Sequence, residues 1–273
     1  MAISTKPKKP AKSTAKPKPA PRKTTVGDSG KPESSGFFIT LEGGEGAGKS
    51  SQMAFIKERL LQQGHNVVTS REPGGSPGAE AVRHVLLSGA AEPFGADMEA
   101  ILFSASRADH VDTVIRPALQ QGKIVISDRF FDSTRVYQGV SGKVDRKLVR
   151  QLERVACGET WPDLTIIIDL DPEEGMKRAG ARRKASVAPD RFEKESLMLQ
   201  KMRRDAYLEI AREEPDRCVV VDGSGSPETV FERLWKIIEQ RMKKIPKRRK
   251  LVSHKQLTAK KSSKTPGSQD AAS

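Results

Sequence analysis

Cysteine is almost missing from this chain. Only Cys157 and Cys218 occur in 273 residues, far apart and each inside an apolar segment. That count leaves no room for a disulfide-stapled framework, and buried free thiols in a reducing compartment are the expectation. Histidine is scarce as well. His65, His84, His110 and His254 are scattered without the pairwise spacing of metal ligands, so no zinc site is expected. No apolar run approaches the ~20 residues of a membrane-spanning helix. The N-terminus lacks the apolar core of a secretory signal. A cytoplasmic location without membrane contact follows as an expectation. Nor is there a Ser/His/Asp or Cys/His set of the kind covalent catalysis uses.

Charge is abundant but unevenly placed. Of the formal net charge of +14, residues 1–36 carry +7 and residues 241–273 carry +10, which leaves −3 for the middle. The basic character therefore belongs to two tails. A basic nucleic-acid-binding body is excluded by that distribution. Residues 1–36 are rich in Lys and Pro, as in Lys6-Pro7-Lys8-Lys9-Pro10. Such a segment cannot bury a core and is expected to be disordered, as are residues 243–273. Solvation is their plainest role, and weak contact with nucleic acid or another polyanion is the functional one. Lys-Pro repeats fit an amphipathic organelle presequence poorly.

Between the tails, one stretch carries most of the information: Gly43-Gly44-Glu45-Gly46-Ala47-Gly48-Lys49-Ser50, with Ser51 after it. It follows the apolar run Phe37–Leu41 and precedes a helical pattern ending near Gly64. A G-x-x-x-x-G-K-S loop between strand and helix is an ATP cradle. Backbone N–H groups wrap the phosphates, Lys49 reaches the β- and γ-phosphates, and the Ser50 hydroxyl ligates Mg²⁺. Further apolar strands are expected at 65–69, 123–127, 164–170 and 218–223, alternating with helices at 79–88, 98–121, 145–157, from 172, 191–213 and 227–242. This βαβα pattern calls for a parallel sheet with helices on both faces, a three-layer α/β domain.

Asp128 ends the strand at 123–127 and fits a second Mg²⁺ contact. Arg71 and Arg129 each lie just past a strand's C-terminal end, where open α/β sheets hold ligands. Transfer between two phosphates needs several guanidiniums, and Arg107, Arg178, Arg182 and Arg183 are the other candidates. Phe103 and Arg107 stand four apart on one helix and share a face that suits a base.

These residues resemble bacterial thymidylate kinases. The match rests on the stretch from Phe38 to Ser50, Arg71-Glu72-Pro73-Gly74-Gly75, Phe103-Ser104-Ala105-Ser106-Arg107, Asp128-Arg129-Phe130-Phe131-Asp132-Ser133-Thr134, Tyr137-Gln138-Gly139 and Asp190-Arg191-Phe192-Glu193. The resemblance covers the domain at 37–242 and neither tail. It implies a P-loop kinase fold with a five-stranded sheet, Mg²⁺-dependent transfer from ATP to dTMP, and a homodimer. It also implies roles. Phe103 stacks on thymine, Arg107 and Thr134 bond its polar edge, and Pro73 lines the methyl pocket. Tyr137, with Gln138 beside it, excludes a 2′-hydroxyl. Arg71 and Arg129 meet the acceptor phosphate, and Glu45 meets the sugar. Some relatives carry an arginine in the phosphate loop where this chain has Gly46. The transition-state charge is then met from the lid, about 177–190, by Arg182 or Arg183. Two other readings stand beside this one: a P-loop kinase for another nucleotide or nucleoside, and a nucleotide-binding protein acting mainly through its tails.

Overall fold

The structure, a computed structural model, describes residues 36–182 and 196–243. Five strands form one parallel sheet: β1 (Phe37–Glu42), β2 (Val67–Arg71), β3 (Ile124–Asp128), β4 (Leu164–Asp169) and β5 (Cys218–Asp222). Their spatial order is β2-β3-β1-β4-β5, so β1 lies at the centre with the first crossover passing over β3. The phosphate loop therefore leaves the middle of the sheet.

Alternation along the strands supplies both cores. Phe37, Ile39 and Leu41 of β1 face one side. There they meet Ile56 and Leu60 of α1 (Lys49–Gln62), and Leu234, Trp235 and Ile238 of α9 (Pro227–Lys243). Phe38 and Val125 face the other side, against Val111, Ile115 and Leu119. That second face is covered by α3 (Gly95–His110), a π-helical turn at Val111–Ile115, α4 (Arg116–Gln120), and α8 (Leu197–Glu213). Each such side chain, fully buried, is worth about 1.5–3 kcal/mol, so strands apolar on both faces can only be central.

The remaining helices are α2 (Pro77–Leu87), α5 (Phe131–Thr134), α6 (Arg146–Cys157) and α7 (Pro172–Arg182), with a 3₁₀ turn at Glu92–Phe94 and a π-helical segment at Arg135–Ser141. Asp145 caps α6 by accepting from the Lys147 N–H at 2.6 Å.

The expected layers are present, with four local differences. The second strand begins two residues later than expected, because the His65 N–H turns back to the Leu60 carbonyl and closes the end of α1. The helix expected at 98–121 starts at Gly95 and changes register at 111–115. Pro117 follows closely and has no N–H to offer the Thr113 carbonyl. The helical stretch 131–141 was not expected at all. Residues 177–182, taken as the start of the lid, are the last turns of α7. The rest of that lid, the motif at 190–193, the start of the helix expected from 191, and all but the edges of both tails lie outside the described residues.

Among the described residues, no helix is long and apolar enough to cross a membrane. Cys157 and Cys218 are both buried free thiols, and burial pushes each up to about 12.

Candidate active site

The C-terminal ends of β1, β2 and β3 gather most of the predicted residues. The phosphate loop, residues 43–48, runs from β1 to α1, and Gly48 adopts the left-handed conformation at the helix start. Lys49 is buried, and its ammonium donates to the loop's own carbonyls at Gly43 (3.1 Å) and Gly44 (2.9 Å). The Ser50 hydroxyl donates to Asp128 Oδ2 at 2.9 Å, and Ser51 is exposed on the first turn of α1.

Gly46 has φ 69°, and a Cβ built there would lie 2.0 Å from the Gly175 carbonyl oxygen in α7. Conversely, a Cβ at Gly175 would lie 2.4 Å from the carbonyl of Glu45, which is half-buried. The loop tip and α7 thus meet backbone to backbone, and neither position has room for a side chain.

Beyond β3 the chain turns at Arg129, whose φ of 70° is unusual for a residue with a side chain. Backbone bonds hold the turn: the Arg129 N–H donates to the Leu41 carbonyl, and the Phe130 N–H donates to Glu42 Oε1 at 2.8 Å. The Arg129 guanidinium reaches the Gly43 carbonyl (3.3 Å), Ser133 Oγ (3.1 Å), and the hydroxyls of Tyr207 and Tyr137 (3.1 Å each). Burial would lower its pKa, but Tyr137, Tyr207, Glu42 and Asp128 outweigh that and raise it.

A second group lies under α3. Arg107 is buried, donating through Nε to Glu72 Oε2 (2.7 Å) and through Nη2 to Thr134 Oγ1 (3.0 Å). His110 bridges Glu72 (3.0 Å) and Ser70 (2.6 Å). Desolvation opposes the buried Arg107 charge, and the Glu72 carboxylate more than offsets it, so the guanidinium pKa is raised. Phe103, one turn before Arg107, is half-buried. The Pro73 carbonyl accepts from Arg83 at 2.6 Å.

The description "Thymidylate kinase" belongs to the family model that matches residues 41–234. The chain belongs to the thymidylate kinase family. It is 51% identical over 207 residues to curated proteins named "Thymidylate kinase" from Bradyrhizobium strains ORS 278 and BTAi1, over 76% of this chain and 91% of each relative. It also superposes on the crystal structure of thymidylate kinase from Ehrlichia chaffeensis with a TM-score of 0.59 and 33% identity. That alignment covers 74% of this chain and 98% of that one. The protein is thus a phosphotransferase of this family, with a P-loop kinase fold.

Within that family fold, the phosphate loop, Lys49, Ser50, Asp128, Arg129 and Tyr137 form one connected group. Arg107, Thr134 and Glu72 form another, with Phe103 one turn before Arg107 on α3 and Pro73 next to Glu72 in the chain. Gln138, next to Tyr137 in the chain, is buried. Arg71 is the exception: it is exposed and paired with Glu80 at 2.9 Å at the end of β2. Arg178 is also committed elsewhere, to Glu174 and the Gly223 carbonyl. Arg182 ends α7, and Arg183 lies outside the described residues.

Sequence reasoning missed Glu42, Glu72 and Tyr207. Glu72 and Glu42 were visible only as members of motifs, and nothing marked Tyr207 apart from being one of two tyrosines.

Proposed function

We propose that this enzyme transfers the γ-phosphoryl group of ATP to the 5′-phosphate of dTMP, giving dTDP. One observation carries the reading of the site. The Arg129 guanidinium touches both the phosphate loop, at the Gly43 carbonyl, and the acceptor side, at the Tyr137 hydroxyl. It stands where two phosphates must meet.

The loop N–H groups and the N-terminus of α1 receive the donor phosphates. Lys49 leaves the loop carbonyls for the β- and γ-phosphates as they arrive. Ser50 and Asp128 offer a hydroxyl and a carboxylate 2.9 Å apart, accessible and adjoining the loop, and so fit Mg²⁺. A magnesium ion needs only one or two such protein ligands beside phosphate and water oxygens. Ser50 and Asp128 would hold the ion, which would supply neutralisation of phosphate charge there.

On the acceptor side, Phe103 provides a ring for thymine. Arg107, locked by Glu72 and Thr134, donates to a base carbonyl without first losing conformational freedom. Thr134 bonds the ring N–H, and Pro73 lines the space for the 5-methyl group. Tyr137, with Gln138 beside it in the chain, crowds the 2′ position, and Glu45 meets the sugar hydroxyl. Arg129 and Arg71 hold the acceptor phosphate, Arg71 after exchanging Glu80 for it. The acceptor oxygen attacks the γ-phosphorus in line, ADP leaves, and no covalent enzyme intermediate forms. Arg182 or Arg183 supplies the remaining positive charge.

A homodimer is part of this reading. Phe94, closing the 3₁₀ turn just before α3, and Met98 and Ile101 on α3 are exposed apolar residues that support it. A cytoplasmic location suits two reduced, buried thiols. Weak polyanion contact is assigned to the basic tails.

The test is a panel of dTMP, dUMP, dCMP, UMP, AMP and thymidine with Mg-ATP. dTMP is expected to show the highest kcat/KM. A protein that left dTMP unchanged and phosphorylated another acceptor would overturn the substrate assignment.

A further inference from the structure

Tyr207 sits on α8, sequentially remote from every motif at the site, and is 1% exposed. Its ring packs with Val136, Ile167 and Ile210 in the core on that face of the sheet. An ordinary core tyrosine needs one partner for its hydroxyl. This one meets three, from two remote parts of the chain: Glu42 Oε2 at 3.0 Å, Ser133 Oγ at 3.0 Å and Arg129 Nη1 at 3.1 Å.

The hydrogen-bond directions are constrained. Arg129 can only donate, so the Tyr207 oxygen accepts from it. With the Glu42 carboxyl ionised, the single hydroxyl proton of Tyr207 is given to it, and it also takes the Ser133 hydroxyl proton at 2.7 Å. Both hydroxyls thereby present lone pairs to Nη1 of the guanidinium. The other terminal nitrogen is held by Tyr137. One turn earlier on α8, Arg203 lies 4.0 Å from the centroid of the Tyr137 ring. The helix thus fixes both ends of the Arg129 fork.

We propose that Tyr207 is a positioning residue for the acceptor phosphate: its hydroxyl orients the Arg129 guanidinium through a bond relayed from Glu42. The proposal rests on the reading of Arg129 as the arginine that meets the acceptor phosphate. Tyr207 itself touches no substrate. It acts on the phosphate only through the arginine, and leaves recognition of the base to Phe103 and Arg107.

That separation makes the proposal testable by binding. Tyr207→Phe keeps the ring and its packing and removes one oxygen. The full-length wild type and variant are titrated calorimetrically with dTMP and with thymidine, which lacks the phosphate. The expected result is dTMP affinity lowered about tenfold, the scale of one hydrogen bond to a charged group, with thymidine affinity changed less than about twofold. In an Arg129→Ala background, the same substitution is expected to change dTMP affinity by less than about twofold, because the group it acts through is gone. Equal weakening of dTMP and thymidine would show a general loosening of the site and overturn the proposal. So would a tenfold loss that persists without Arg129, or no loss at all. Wild-type protein that did not bind dTMP would overturn the acceptor reading instead. The comparison is then made between the acceptor it does take and that acceptor's unphosphorylated form.

Discussion

Glu42 is held by three donors, the Phe130 N–H and the Ser133 and Tyr207 hydroxyls, yet burial prevails. Burial first, and then the nearby Asp132 charge, push its carboxyl from 4.5 up to about 7, against the opposing pull of Arg129, Ser133 and Phe130. The sign of the stability effect follows. Between pH 4.5 and 7 the folded protein keeps a proton on Glu42 that the unfolded chain has released. Stability from this group is therefore complete below the lower value and falls as pH rises through the higher one. Glu42→Gln cannot release that proton. Its melting temperature relative to wild type should climb from pH 4.5 to about 7 and level off above that, and a difference that stays flat throughout would show that Glu42 titrates normally. Lys49 offers a cleaner separation of fold from function. Its ammonium makes hydrogen bonds to its own loop, so Lys49→Ala should lose measurable turnover while thermal unfolding moves by only a few degrees. A variant with wild-type kcat would remove Lys49 from the transfer step. At this scale the sequence was legible wherever a motif is contiguous. Lys49, Ser50, Asp128 and Arg129 were all readable from strand ends. Tyr207 was not, because its partner Glu42 is 165 residues away and only folding sets them side by side.

The elements were legible for the same physical reason that they form. Runs such as Phe37–Leu41 and Leu164–Ile168 are apolar on both faces and have to be central strands. The stretch 131–141 was hidden. Its short helix and π-helical segment carry Val136, Tyr137 and Gly139, poor helix formers in isolation. Tertiary ion pairs hold it instead. The fully buried Asp132 is clamped by Arg217 at 2.7 and 2.9 Å, and Arg135 makes a two-point contact with Glu153 at 2.6 and 2.8 Å. Helix α7 bears on the arginine proposed for the lid. With Arg178 tied to Glu174 and the Gly223 carbonyl, Arg182 and Arg183 are the candidates at and just past its end. One of Arg182→Ala and Arg183→Ala should lower kcat by ~10³ or more, the scale of an arginine finger, with the other near wild type. Single-turnover rates measure this directly, and a double variant with wild-type kcat would place the finger elsewhere.

At the level of the whole molecule, charge and chemistry are separated along the chain. The site lies within residues 41–234, matched by the family model, and the excess positive charge lies in the tails. Removing residues 1–35 and 244–273 should leave kcat and both KM values within about twofold. Any DNA binding by the full chain should vanish with the tails and, before that, weaken steeply with salt. Gel-shift titrations at several salt concentrations, run beside steady-state kinetics, read both halves. Loss of turnover on trimming would mean that the tails take part in the site.

The backbone contact between Gly46 and Gly175 has a consequence for how such an enzyme changes over time. Moving the arginine from the lid to the loop looks like a single substitution at position 46. Here the new side chain would have to enter space held by the α7 backbone, at a φ that suits glycine. The first step would separate loop from helix before any gain was realised. With the finger proposed for the lid, a lineage with this geometry keeps it there unless α7 shifts in the same step.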